Sequence, residues 1–211
     1  MVNVIPLIGG SIGTCIYLLE EDGNIVLFDF VPQVEDLIRK NGYIPDKVIL
    51  THIHFDHIEM LSNFQKKYPF ELLLSGEALE GINDPSRTLL EFVPELIRGP
   101  VLPVDLKNSK IIRDNDFILW KGHSIEAVSS AGHSPDSMMY IFRENKCVFT
   151  GDTIFYGSVG RTDFPGSSQE QLLASIKKLF TKIDDDFTLY PGHGPKTTAG
   201  FEKLNNPYIE I

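Results

Sequence analysis

Cysteine is scarce in this 211-residue chain, with only Cys15 and Cys147, each inside an apolar segment. Two buried, reduced thiols are the expectation, rather than a disulfide. No apolar run approaches about 18 residues, so no membrane span and no membrane partner are expected. The opening Met1-Val2-Asn3-Val4-Ile5-Pro6 lacks a basic region ahead of an apolar stretch, so no cleaved secretory leader is expected. A cytoplasmic location follows by default. Positive charge is also short: 19 Lys and Arg stand against 29 Asp and Glu, a formal net charge of −10. Without a basic cluster to offset it, such a surface repels phosphates, which argues against a nucleic acid partner. Part of that negative charge need not be surface, because carboxylates that hold divalent cations enter the same tally.

What is present reads as one globular domain over residues 1–211. Hydrophobic residues make up 42% and charged residues 23%, ordinary values for a chain with one sizeable core. Apolar runs predict strands at Val2 to Ile8, Cys15 to Leu19 and Ile25 to Phe30, the last two joined by the turn Glu21-Asp22-Gly23-Asn24. A short helix is expected from Gln33 to Asn41, with Gly42 beyond its end. Further strands are expected at Val48 to Leu50, Phe70 to Leu74, Val101 to Leu106, Phe117 to Trp120, Ile125 to Val128, Met138 to Phe142, Cys147 to Thr150 and Phe187 to Tyr190. Helices are expected at Glu59 to Tyr68 and Gln169 to Phe180, the latter from its 3.6-residue apolar spacing. Residues 85–98 read as helical or irregular. Many strands with interspersed helices suggest two sheets with helices outside, an α+β fold of the αβ/βα sandwich kind.

The chemistry concentrates in Thr51-His52-Ile53-His54-Phe55-Asp56-His57. In extended chain, residues two apart point to one side, so His52 and His54 can converge on one ion. A turn after them lets Asp56 and His57 face a second. Imidazole and carboxylate donors suit zinc first, with iron or manganese as alternatives. A solvated histidine loop would have to explain such a cluster in a chain with only six histidines. Three more segments carry a ligand-type residue on a tight loop at a strand end: His133 in Ala131-Gly132-His133-Ser134, Asp152 in Thr150-Gly151-Asp152-Thr153, and His193 in Pro191-Gly192-His193-Gly194. His123 alone stands outside the set and reads as structural or solvent-exposed.

With these motifs the chain resembles the metallo-β-lactamase superfamily, and its short glyoxalase II-like (hydroxyacylglutathione hydrolase-like) branch in particular. The resemblance implies a four-layer αβ/βα sandwich and two divalent ions per chain. His52, His54 and His133 would hold one ion, and Asp56, His57 and His193 the other, with Asp152 bridging. Asp29 would support the histidine loop from behind. The implied reaction is hydrolysis of a small-molecule thioester, in which a water shared by the two ions attacks the carbonyl carbon. Asp152 as bridge, and Asp56 as a group that orients the water, would be the catalytic carboxylates.

The loop after Asp152 contains Gly160-Arg161-Thr162-Asp163-Phe164, similar to one found in short glyoxalase II-like proteins and in persulfide dioxygenases. Arg161 could bind a substrate carboxylate or pair with Asp163 for structure alone. Glutathione-specific relatives carry a tyrosine near Asp163 and a C-terminal helical domain, neither of which is expected here. The family also places two glycines after the histidine loop, where this chain has Glu59 and Met60. A mononuclear iron persulfide dioxygenase is the rival from another class. A lactonase and a non-catalytic metal-binding module are further alternatives. A true β-lactamase is disfavoured by Asp152, since those enzymes lack that bridge.

Overall fold

The computed structural model describes residues 2–94 and 102–210. The chain divides into two compact units, Met1–Ile111 and Ile112–Ile211.

In the first unit, strands β1 (Asn3–Gly9), β2 (Thr14–Glu21), β3 (Asn24–Phe28), β4 (Ile44–Ile49), β5 (Glu71–Leu74) and β6 (Ser109–Ile111) form one sheet in that order. The first three run antiparallel as a meander, and β3 to β6 are parallel to one another. The reversal leaves the ends of β3 and β4 side by side, and these ends carry Asp29 and the histidine loop. Ile16, Leu18, Ile25, Leu27, Val48 and Phe64 belong to the buried core. Helix α1 (Val34–Asn41) has Glu35 and Asp36 in its first turn and Arg39 and Lys40 in its last, matched to the helix dipole. It stops at Gly42, whose left-handed φ of 69° lets its N–H bond the carbonyl of Ile38 at 2.8 Å. Helices α2 (Leu61–Gln65) and α3 (Gly76–Gly81) are short.

The second unit is a mixed sheet of β7 (Phe117–Trp120), β8 (His123–Ser129), β9 (Met138–Phe142), β10 (Cys147–Gly151), β13 (Thr188–Pro191) and β14 (Thr197–Thr198), with β10 and β13 parallel. A small hairpin, β11 (Ile154–Phe155) with β12 (Ser158–Val159), follows β10. Helix α4 (Gln169–Lys182) starts where the Ser168 hydroxyl accepts the Gln171 N–H, and buries Leu172, Ile176, Leu179 and Phe180 along one stripe. Each such side chain contributes about 1.5–3 kcal/mol on leaving water. On β8 the buried Glu126 accepts bonds from Arg143 at 2.6 Å and Lys182 at 2.7 Å. Burial alone would raise its carboxyl. The bonds from Lys182 and Arg143 outweigh that and hold it below the ordinary range. On α5 (Ala199–Asn205), Glu202 is fully buried. Its carboxylate accepts the Thr197 hydroxyl at 2.5 Å, the Asn206 amide at 2.7 Å and the Gly157 N–H at 3.0 Å. The C-terminal helix thereby holds the hairpin that follows Asp152.

Three sequence expectations need correction. Val101 lies outside the described residues, and 102–106 form no strand. Their backbone is instead paired by side-chain amides: Gln65 both donates to and accepts from Asp105, at 2.8 and 2.9 Å, and Asn83 does the same for Val104, at 3.1 and 2.8 Å. The sixth strand therefore begins at Ser109. The helix expected from Glu59 to Tyr68 is confined to Leu61–Gln65, because Met60 is left-handed (φ 62°) and the Glu59 carboxylate binds the Ser11 N–H. Within 85–98, a single 3-10 turn at Leu90–Phe92 forms, and 95–98 lie outside the described residues.

Candidate metal centre

In the first unit, β4 runs into Leu50-Thr51-His52 and then into a 3-10 turn at Phe55–His57. Asp29 follows the neighbouring parallel strand β3 with a left-handed φ of 64°, a conformation aspartate tolerates better than most residues. Its Oδ1 accepts the Thr51 N–H at 2.7 Å, and its Oδ2 accepts the Thr51 hydroxyl at 2.7 Å. The same Oδ2 stands 2.8 Å from His57 Nδ1. A carboxylate can only accept there, so Nδ1 carries a proton and, in the neutral ring, Nε2 is the nitrogen that can meet a metal. Asp29 therefore holds the His57 ring from its Nδ1 side.

The histidines of this loop lie close together. The His52 and His54 rings lie 4.6 Å apart edge to face, and His52 and His57 lie 4.1 Å apart. Ligand atoms of His52 and His54, of His52 and His57, and of Asp56 and His57 fall within 4.8 Å of one another. His57 Nε2 is 3.4 Å from Asp56 Oδ2, an oxygen that also accepts the Thr14 hydroxyl at 2.7 Å. All four of these groups are buried, His57 completely.

In the second unit, Asp152 lies directly beyond β10, His193 beyond the parallel strand β13, and His133 in the turn between β8 and β9. The Asp152 Oδ2 is 3.6 Å from His133 Nε2 and 3.4 Å from His193 Nε2, so one carboxylate oxygen sits between two imidazoles. His133 Nδ1 donates to the backbone carbonyl of Arg161 at 2.8 Å, which turns Nε2 toward Asp152. Two glycines permit this crowding. A Cβ on Gly132 would stand 2.3 Å from the backbone of Leu172 in α4, and one on Gly160 would stand 1.9 Å from the Asp152 carbonyl.

The Arg161 side chain pairs with Asp163. Its guanidinium binds both Asp163 oxygens, at 2.9 and 2.7 Å, and lies 4.5 Å from the Phe164 ring centroid. The hydrogen bond between them raises the pKa of Arg161 and lowers that of Asp163. Both groups are exposed, so the pair adds little stability. Sequence reasoning missed Thr14 and Thr51, although a hydroxyl residue directly ahead of the first histidine was a usable signal. His123 stays apart, 2.6 Å from Glu144.

Imidazoles and carboxylates buried side by side are costly unless a charge is shared among them. A divalent cation satisfies both donor types, and the mixed N and O set fits zinc, iron or manganese. These His/Asp clusters have the donor chemistry of a dinuclear metal site.

Residues 10–193 match the family described as the metallo-β-lactamase superfamily. Hydroxyacylglutathione hydrolase GloC of Haemophilus influenzae is 29% identical over 201 residues, 92% of each chain. Among solved structures, BLEG-1, described as a B3 metallo-β-lactamase, superimposes with a TM-score of 0.86 at 29% identity over 99% of both chains. TTHA1623, solved in a di-iron-bound form, gives 0.80 at 31% identity over 97% of this chain and all of its own. Among the described residues, no helix is long and apolar enough to cross a membrane. The match over most of its length, and the fold it shares with these structures, show that the chain belongs to the metallo-β-lactamase superfamily.

Proposed function

We propose that the protein is a dinuclear metal-dependent hydrolase that cleaves thioesters. His52, His54 and His133 would hold one ion, Asp56, His57 and His193 the other, and Asp152 would bridge them. The observation that carries the reading is the placement of Asp152, with one oxygen within 3.6 Å of two imidazole nitrogens. Bound divalent ions would supply an acidified water at neutral pH and a Lewis-acid seat for a carbonyl oxygen.

The chain's own residues prepare that chemistry. Asp29 and the Arg161 carbonyl hold the Nδ1 side of His57 and His133, so these rings need not rotate on loading. Thr14 engages Asp56 Oδ2 and holds the plane of a carboxylate that would orient the water. A thiol of pKa near 8.5 departs as thiolate with little help, so a thioester suits a site that need not supply a general acid. The name of the relative GloC points to the same substrate class.

The test is elemental analysis of untagged protein purified without added metal, followed by assay on a hydroxyacylglutathione, a simple acyl thioester, a lactone and a β-lactam. About two ions per chain and preferred release of free thiol are expected. Iron has added weight through TTHA1623. A single iron per chain, with oxygen uptake on glutathione persulfide and no hydrolysis, would replace this reading with the dioxygenase.

A further inference from the structure

Beside the histidine loop the first unit carries a partly open cavity of about 280 Å³. Phe55, Ile58, Met60, Ile82, Leu90 and Leu102 contribute its apolar wall. Ligand pockets of roughly 300–1,000 Å³ take whole drug-sized molecules, so this volume suits one substituent of a substrate. The polar residues around it are largely engaged elsewhere. Asn83 has both ends of its amide on the backbone of Val104, and the Glu59 carboxylate accepts the Ser11 N–H at 2.7 Å. What faces the space is mostly hydrocarbon.

Two observations tie this cavity to the reacting centre. Phe55 and Ile58 bracket Asp56 and His57, so the wall and the metal donors are consecutive residues of one turn. The second is Met60. Its backbone is left-handed, at φ 62°, a region that favours glycine. A methionine held against its backbone preference supplies a long, adaptable side chain to the rim, 39% exposed, with Leu102 at 38%.

We propose that this cavity is an acyl pocket, which takes the apolar acyl chain of the substrate while its carbonyl lies at the metal donors. Met60 and Leu90 set the length of chain accepted. The proposal rests on the thioester reading above and narrows it to unbranched apolar acyl groups, rather than the small hydroxyacyl groups that leave such a pocket empty.

The kinetic test uses N-acetylcysteamine thioesters from acetyl to hexanoyl on the metal-loaded enzyme. kcat/KM should rise about threefold to fourfold per methylene, the worth of one buried CH₂. Met60→Gly removes the rim, and Leu90→Trp fills the space. In both variants the hexanoyl-to-acetyl ratio should fall by about tenfold or more, with metal content per chain unaltered. A ratio unchanged in both variants overturns the pocket. A second measurement does not depend on turnover. In zinc-loaded protein with ¹³C-methyl methionine, the Met60 signal, assigned by its loss in Met60→Gly, should shift saturably with the thioether N-acetyl-S-hexylcysteamine. If that signal moves but no thioester is cleaved, the hydrolase reading fails and the pocket stands. If it does not move, the pocket is overturned whatever the enzyme hydrolyses.

Discussion

Asp29 holds His57 from behind, with its Oδ2 2.8 Å from Nδ1, and with the same carboxylate fastens Thr51 at the other end of the histidine loop. One buried side chain therefore braces both the start and the end of the segment that carries four of the seven proposed ligands. Asp29→Ala leaves the Thr51 N–H and His57 Nδ1 without their acceptor. We expect a stability loss of roughly 3–5 kcal/mol in urea unfolding of the metal-free protein. Metal affinity, read by chelator competition, should weaken about 10–100-fold. Asp29→Asn tolerates the left-handed backbone and keeps one acceptor, so it should lose less of both. Equal stability and affinity in Asp29→Ala would remove the bracing role.

Asp152 is the residue on which the two-metal reading turns. Asp152→Ala should lower metal content below two ions per chain and abolish thioester hydrolysis. The fold should persist, because Asp152 lies beyond β10 rather than in the core cluster. Full turnover with full metal content in this variant would rule out a bridge.

Glu126 gives a pH dependence of definite sign. Burial raises its carboxyl, but Lys182 and Arg143 prevail and lower it below the unfolded value of about 4.3. A depressed pKa means the stabilisation is fully present above the unfolded pKa and is lost as pH falls through the folded one. Wild-type and Glu126→Gln unfolding curves should therefore differ most at neutral pH and converge as the pH drops below about 4. A difference that grows on acidification would reverse the assignment.

Cys147 is buried in β10, and burial pushes its thiol up to about 12. The thiolate is the reactive form, so this residue should resist iodoacetamide at neutral pH in the folded protein and react once the chain is denatured. Rapid labelling under native conditions, followed by mass spectrometry, would show that β10 opens.

Much of this was legible in advance, for physical reasons. Runs such as Ile25 to Phe30 are buried along nearly their whole length, so they read as strands without help from context. Helix α4 announces itself through Leu172, Ile176 and Leu179 at helical spacing. The alternation Leu102, Val104, Leu106 looked equally strand-like. It failed because Gln65 and Asn83, distant in sequence, take over the hydrogen bonds a neighbouring strand would have made. Helix α3 was missed because six residues bounded by two glycines carry too little period to see, although Ser75 caps it by accepting the Ala78 N–H at 3.1 Å. At the site, spacing brought out the histidines and the family resemblance brought out Asp29. Arg161 stood open between substrate and structure, because a sequence cannot distinguish a guanidinium free to meet a ligand from one closed on Asp163.

Glu202 carries an implication for how this chain can diverge. Its carboxylate is fully buried and draws on Thr197, Asn206 and the N–H of Gly157 together. Replacing any one partner alone leaves part of a buried carboxyl group unsatisfied, a loss of roughly 1–3 kcal/mol, a large share of a domain's net stability. Positions 197, 202 and 206 should therefore be inherited as a block. Among descendants of this sequence they should change in concert or stay as they are, even though none of the three is proposed to touch a metal or a substrate.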